Sequence, residues 1–180
     1  MESELRFTST LGQHGGLIAS MLKRSYAELI RADPEHWGRE VPEWEQFDHE
    51  VFEHPDTVDR CVFLSWSRGQ LVGFASYDPR QGPKLGIVGH NCVLPEFRGN
   101  GFGNQQIEEI IRRFRAEGIR LARASTGESH FFAPARRMYA ACGFREAGRR
   151  PWHGDPSQNT IEYELTLDKQ DSRATRLSAP

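Results

Sequence analysis

Glycine occupies every second position of Arg98-Gly99-Asn100-Gly101-Phe102-Gly103. Such an alternation suits neither the interior of a helix nor that of a strand, because glycine gives up more backbone freedom on ordering than any other residue. It marks a turn, and its flanks say which kind. Ahead of it, Leu85–Leu94 reads LGIVGHNCVL, an apolar β-like run. Behind it, Ile107, Ile110, Ile111 and Phe114 recur on one helical face, Glu108/Arg112 and Glu109/Arg113 pair at i,i+4, and Gly118 supplies a stop. The order is strand, glycine turn, helix. A helix start carries unpaired N–H donors and the positive end of the dipole, so a turn stripped of side chains there suits phosphate oxygens, pyrophosphate above all.

The remaining elements place this unit inside a larger sheet. A short strand is expected at Leu5–Thr8, then a helix carrying Leu17, Ile18, Met21, Leu22, Tyr26, Leu29 and Ile30 that ends near Asp33-Pro34. Residues 36–59 interleave acids with Trp37, Trp44, Phe47, Val51 and Phe52. They read as one or two helices with a solvated acidic face or, more sharply, as an acidic, aromatic lip for a cationic substrate. RCVFLSWS and QLVGFASY form a hairpin about Arg68-Gly69. IRLARAST is a further strand, Pro134 to Gly143 a helix, and FREAGRR and NTIEYELTL two closing strands. The expected class is α+β: a central, mostly antiparallel sheet of six to seven strands flanked by helices. Residues 1–167 are expected to form a single domain and 168–180 a disordered polar tail.

Composition bounds the function. A formal charge of −2 gives no reason to expect nucleic-acid binding. Three scattered cysteines, Cys61, Cys92 and Cys142, form neither a disulfide framework nor a zinc cluster, so no metal is expected. No leader-like start and no membrane-length apolar run is present, so the expectation is a cytoplasmic protein away from the membrane.

Three phosphate motifs compete for the glycine turn. The G-x-x-x-x-G-K-[ST] pattern fails because no Lys-Ser or Lys-Thr follows. The G-x-G-x-x-G pattern fails because its third glycine would be Asn104 or Gln106. A third pattern, Arg or Gln, two residues, Gly, one residue, then Gly or Ala, is satisfied by Arg98–Gly103. Here NCVLPEFRGNGFGNQQIEEII resembles the acyl-CoA-binding motif of the GNAT superfamily of N-acyltransferases. ARRMYAACGF resembles that superfamily's later helix, and together the two span Leu85 to Phe144, about a third of the chain.

The resemblance implies a GNAT-like fold and an acetyltransferase that moves the acetyl group of acetyl-CoA onto a primary amine of a small molecule or peptide. The backbone of Arg98, Gly99, Asn100, Gly101, Phe102, Gly103 and Asn104 would cradle the CoA pyrophosphate. Cys92, Val93 and Leu94 would lie where a splayed central strand pairs with the pantetheine amides, an N–H of Val93 or Leu94 meeting the thioester oxygen. Tyr139 would be the general acid beside the CoA sulfur, or otherwise a packed aromatic. For a base, His90, Glu128 and His153 are candidates, each also readable as structural. Cys92 reads as a small core residue. One departure from the family pattern is Phe132, seven residues before Tyr139, where an asparagine is common. The resemblance allows a homodimer. The rival readings are a non-catalytic acyl-CoA sensor on the same fold and a nucleotide-phosphate binder.

Overall fold

The computed structural model describes residues 4–152 and 155–167. His153 and the expected tail at 168–180 lie outside the described residues. Seven strands form one sheet in the order β1-β2-β3-β4-β5-β7-β6. They are β1 (Arg6–Thr8), β2 (Val62–Ser67), β3 (Gln70–Asp78), β4 (Gly86–Val93), β5 (Leu121–Gly127), β6 (Arg145–Trp152) and β7 (Asp155–Thr166). Every neighbouring pair is antiparallel except β4 and β5. That one parallel junction is bridged by helix α5 (Phe102–Ala116), as a parallel crossover requires.

Helices cover both faces. On one, Ile107, Ile110, Ile111 and Phe114 of α5 and Tyr139 of α6 (Ala133–Ala141) pack on Phe63, Ala75, Tyr77, Val88 and Ala122. On the other, Ile18, Met21 and Leu22 of α1 (Leu17–Ser25) and Trp44 and Val51 of α4 (Glu40–Glu53) pack on Val62, Leu64, Phe74 and Cys92. Val88 and Cys92 stand four residues apart on one strand, so a regular pleat would give them the same face. They pack on opposite faces because β4 carries a bulge: Tyr77 pairs with Val88 and Ala75 with Asn91, leaving Gly89 and His90 opposite Ser76.

The first expected helix is broken. α1 ends at Ser25 and α2 (Ala27–Ala32) begins after Tyr26, whose φ of −105° and ψ of 10° leave the helical well. The Ser25 carbonyl, which a continuous helix would bond internally, accepts from Arg98 Nη2 at 2.8 Å. A single turn, α3 (Pro34–Trp37), follows, its first residues capped by Asp33, which accepts from His36 N at 3.0 Å.

The acidic stretch has a third role that neither expectation held. Asp48 of α4 is buried and accepts from the backbone N–H of Gly16, Ile18 and Ala19 at 2.5, 2.7 and 3.1 Å, capping α1 from a distant helix. Asp59 is likewise buried and accepts from Thr10 Oγ1 at 2.7 Å. Only the outer acids are surface ion-pair partners, such as Glu45 with Lys23.

Candidate active site

The site is a wedge opened in the sheet. β4 and β5 pair only at Gly86↔Ala122 and Ile87↔Arg123. Past that point β4 stays on β3 as far as Val93, while β5 stays on β7 as far as Gly127. The two carboxyl ends diverge, which is where parallel sheets form ligand crevices.

Ladder geometry decides which backbone groups face the wedge. Leu94 N donates to Val72 O at 2.8 Å, so its N–H is spent on β3. Because antiparallel bonds alternate, the neighbouring Gly73/Val93 pair is of the non-bonded kind, and Val93 turns its N–H and C=O away from β3, toward the gap. Asn91, two residues back in the same register, does likewise. Of the two donors expected for an acyl oxygen, Val93 therefore remains and Leu94 does not.

The glycine turn closes the wedge at one end, and its three glycines do different work. Gly99 and Gly101 hold φ of 80° and 74°, the left-handed region that disfavours a side chain. Gly103 is needed for packing instead: a Cβ there would stand 2.7 Å from Met138 Sδ of α6. Gly101 caps α5 with no side-chain hydrogen bond, and the helix first bonds internally at Gln105 N to Gly101 O, 3.3 Å. The donors ahead of Gln105 in the first turn thus lack the side-chain cap that most helices carry. The Asn100 side chain folds inward onto Phe97 O at 3.0 Å, bracing the loop. Arg98 contributes least as a backbone donor, since its N–H turns back to Pro95 O at 3.3 Å. Its guanidinium is a brace, reaching Ser25 O, Val93 O at 3.3 Å, and the face of Phe131 at 5.9 Å.

Tyr139 comes from α6 to the other side of the wedge. It is buried, and its hydroxyl donates to Asn91 Oδ1 at 3.3 Å. Burial, then the nearby Tyr26 phenol, hold its pKa well above the ordinary tyrosine value. Tyr26, at the break between α1 and α2, has its pKa raised to about 12, by burial first and by Cys92 next. Cys92 is pushed up to about 11 by burial, which keeps it a thiol and fits its reading as a core residue. Asn91 and Tyr26 escaped the sequence reading. Tyr26 looked like one more member of an apolar helical stripe, and Asn91, though it opens the motif segment, was assigned no role, its pairing with Tyr139 being 48 residues away.

The two base candidates among the described residues, His90 and Glu128, part company. His90, in the bulge, turns to the α1/α4 face, its ring 5.1 Å from Phe47. Surrounding protein atoms lower its pKa, with Glu43 opposing. Glu128 is elsewhere: one oxygen pairs with Arg149 and the other accepts from Asn159 Nδ2 at 2.8 Å. It lines a second cavity of about 350 Å³, with Asp33, Trp37, Phe132, Trp152 and Asn159. Phe132, the departure from the motif, is a wall of that cavity, its ring 5.8 Å from Trp37. The turn carrying Glu128 is clamped by Arg136 of α6, whose Nη1 donates to the carbonyls of Gly127, Glu128 and Ser129 at 2.9, 2.8 and 2.8 Å. Among the described residues no group of three His, Cys, Asp or Glu could hold a metal ion, and no helix is long and apolar enough to cross a membrane.

The sequence profile of the acetyltransferase (GNAT) family matches residues 22–144, more than half of the chain. No curated protein matches it in sequence. Solved structures share the fold at low identity. A GNAT-family protein from Desulfovibrio desulfuricans has 19% identity and a TM-score of 0.72 over 92% of this chain and 100% of its own. The ribosomal-protein-S18-alanine N-acetyltransferase of Escherichia coli has 16% identity and a TM-score of 0.64, covering 94% and 98%. A GNAT-family acetyltransferase from Elizabethkingia anophelis, with acetyl-CoA bound, has 14% identity and a TM-score of 0.61, covering 91% and 98%.

Proposed function

The chain belongs to the acetyltransferase (GNAT) family, and from that premise we propose that it moves an acetyl group from acetyl-CoA to a primary amine of a small molecule or peptide by direct attack. The observation that carries this reading is the wedge between β4 and β5 ending on the α5 N-terminus, which lacks a side-chain cap. The donors from Gly99 to Asn104 take the pyrophosphate, where dipole and unpaired N–H groups act together. The pantetheine amides run along Asn91 and Val93 as a short added strand.

In the reaction the amine nitrogen attacks the thioester carbonyl carbon. The carbonyl oxygen gains charge and is met by Val93 N–H, a donor already fixed in place. The intermediate collapses with the C–S bond breaking, CoA leaves as thiolate, and the amine loses a proton. Tyr139 stands beside the departing sulfur. Its raised pKa keeps it protonated, so it gives the thiolate a hydrogen bond in place of the one to Asn91, and the proton that makes the free thiol comes from bulk water. An amine with a pKa of ~10.4 must shed a proton before attack, and His90, neutral at pH ~7, receives it through water.

The test is amine-dependent release of CoA thiol from acetyl-CoA by the purified protein. Thermal stabilisation by CoA without release under any amine would make the chain an acyl-CoA sensor; stabilisation by ATP or NAD alone would overturn the reading.

A further inference from the structure

The cavity beyond Tyr26 shares with the wedge only the end of β5, at Gly127. Asn91, Val93, Tyr139 and the glycine turn contribute nothing to its wall. Tyr26 stands between the two, its ring 5.7 Å from Trp37 and 6.1 Å from Phe132, while its phenol senses Cys92 and Arg98 on the wedge side. Among the described residues the wall holds two carboxylates, Asp33 and Glu128, three large aromatic rings, and no lysine, arginine or histidine. Glu128 has one oxygen on Arg149, which also pairs with Glu146, and the other on Asn159 Nδ2, and the group Glu128, Arg149 and Glu146 keeps a net negative charge. Asp33 spends one oxygen on the cap of α3. Tryptophan faces are the best π partners for a cation, and a cavity of this size admits a small organic ion.

These walls are wrong for the reacting nitrogen. Carboxylates and aromatic faces stabilise an ammonium and so raise its pKa, whereas attack on the thioester requires the neutral amine. A cation held there must be one that stays charged while another nitrogen reacts. Resting on the acyl-transfer reading above, we propose that this cavity anchors a second, non-reacting ammonium of the acceptor, which makes the acceptor class a dibasic alkylamine. The anchored end lies between Trp37, Trp152 and the two carboxylates; the free end passes Tyr26 to the thioester carbonyl at Val93.

The experiment compares α,ω-diamines of increasing length with n-alkylamines of matched chain and with 2-phenylethylamine, in wild type, Asp33→Asn and Trp152→Leu. Asparagine keeps the cap to His36 N and removes only the charge. Two readouts are taken: kcat/KM from thiol release, and tryptophan fluorescence during titration with each amine in the absence of acetyl-CoA. The expected result is a best diamine at least about tenfold above its matched monoamine in kcat/KM, mostly through KM, with the ratio collapsing toward one in both variants. Equal values for diamine and monoamine, a preference for 2-phenylethylamine, or an unchanged ratio in Asp33→Asn would each overturn the proposal. If no amine releases thiol, the acyl-transfer reading fails, and fluorescence decides the anchor alone. Saturable quenching by diamine and not by alkylamine upholds it; no difference ends it.

Discussion

The two halves of the site are built in different ways. On the α5/α6 face the site is mostly backbone: a turn in left-handed φ, a helix start without a side-chain cap, a strand whose N–H groups lost their partner. Beyond Tyr26, between α2, α3 and the ends of β5, β6 and β7, it is mostly side chains, gathered from residues as far apart as Asp33 and Asn159. Backbone sites need residues with unusual conformational range at fixed spacing, and that need is written locally. Side-chain sites need only that ordinary residues end up together. A family motif therefore reports the backbone half and leaves the side-chain half unread.

The largest expected effect tests the α5/α6 face. Tyr139→Phe removes the hydroxyl and keeps the ring among Phe144 and Tyr163, 5.6 Å from each. We expect kcat to fall about 100-fold while acetyl-CoA binding, read by thermal shift, is retained. Unchanged turnover would return Tyr139 to a packing role.

Asp48→Ala tests the α1/α4 face through stability. It strips three donors of α1 of a buried charged acceptor, so a loss of about 2–3 kcal/mol in urea unfolding is expected. A loss within about 0.5 kcal/mol would mean that water replaces the carboxylate without difficulty.

A smaller effect separates the glycines. Gly99→Ala meets nothing within 4 Å and is strained only by its φ of 80°, so it should weaken CoA binding at a stability cost of about 1 kcal/mol. Gly103→Ala presses on Met138 Sδ, a flexible side chain, and should lower Tm with CoA affinity kept. The reverse pattern would exchange their roles.

His90 carries the smallest. Desolvation lowers its folded pKa, so the unfolded chain binds more protons than the folded one in the window between the ordinary value and the lowered one. Its contribution to stability therefore falls as pH drops through about 6.5, and His90→Ala should lose that slope. If it is also the base, kcat/KM has an acid limb below pH ~6.5 that the variant lacks; an identical limb in both would clear His90.

Much of the fold was legible. All seven strands fall where β-like runs stand in the sequence, and α5 and α6 lie where apolar periodicity and the glycine and proline signals set them. The exception is the break at Tyr26, where Arg98, 73 residues away, takes the Ser25 carbonyl. Local propensity holds no trace of a partner so distant. The role of Asp48 was hidden for the same reason: a buried cap and a solvated acid are one letter in a sequence.

By itself, then, the sequence determined the strand, turn and helix that face CoA, since left-handed glycines and an apolar helical stripe are properties of neighbours along the chain. Tertiary structure alone decided that Val93 and not Leu94 offers its N–H, because a one-residue bulge and the register with β3 set which way each peptide points. It also decided that His90 packs beside Phe47 while Glu128 lines a cavity where two tryptophans and two carboxylates meet. Those facts depend on distances between segments, which only the packing of helices on both faces of a twisted sheet brings into being.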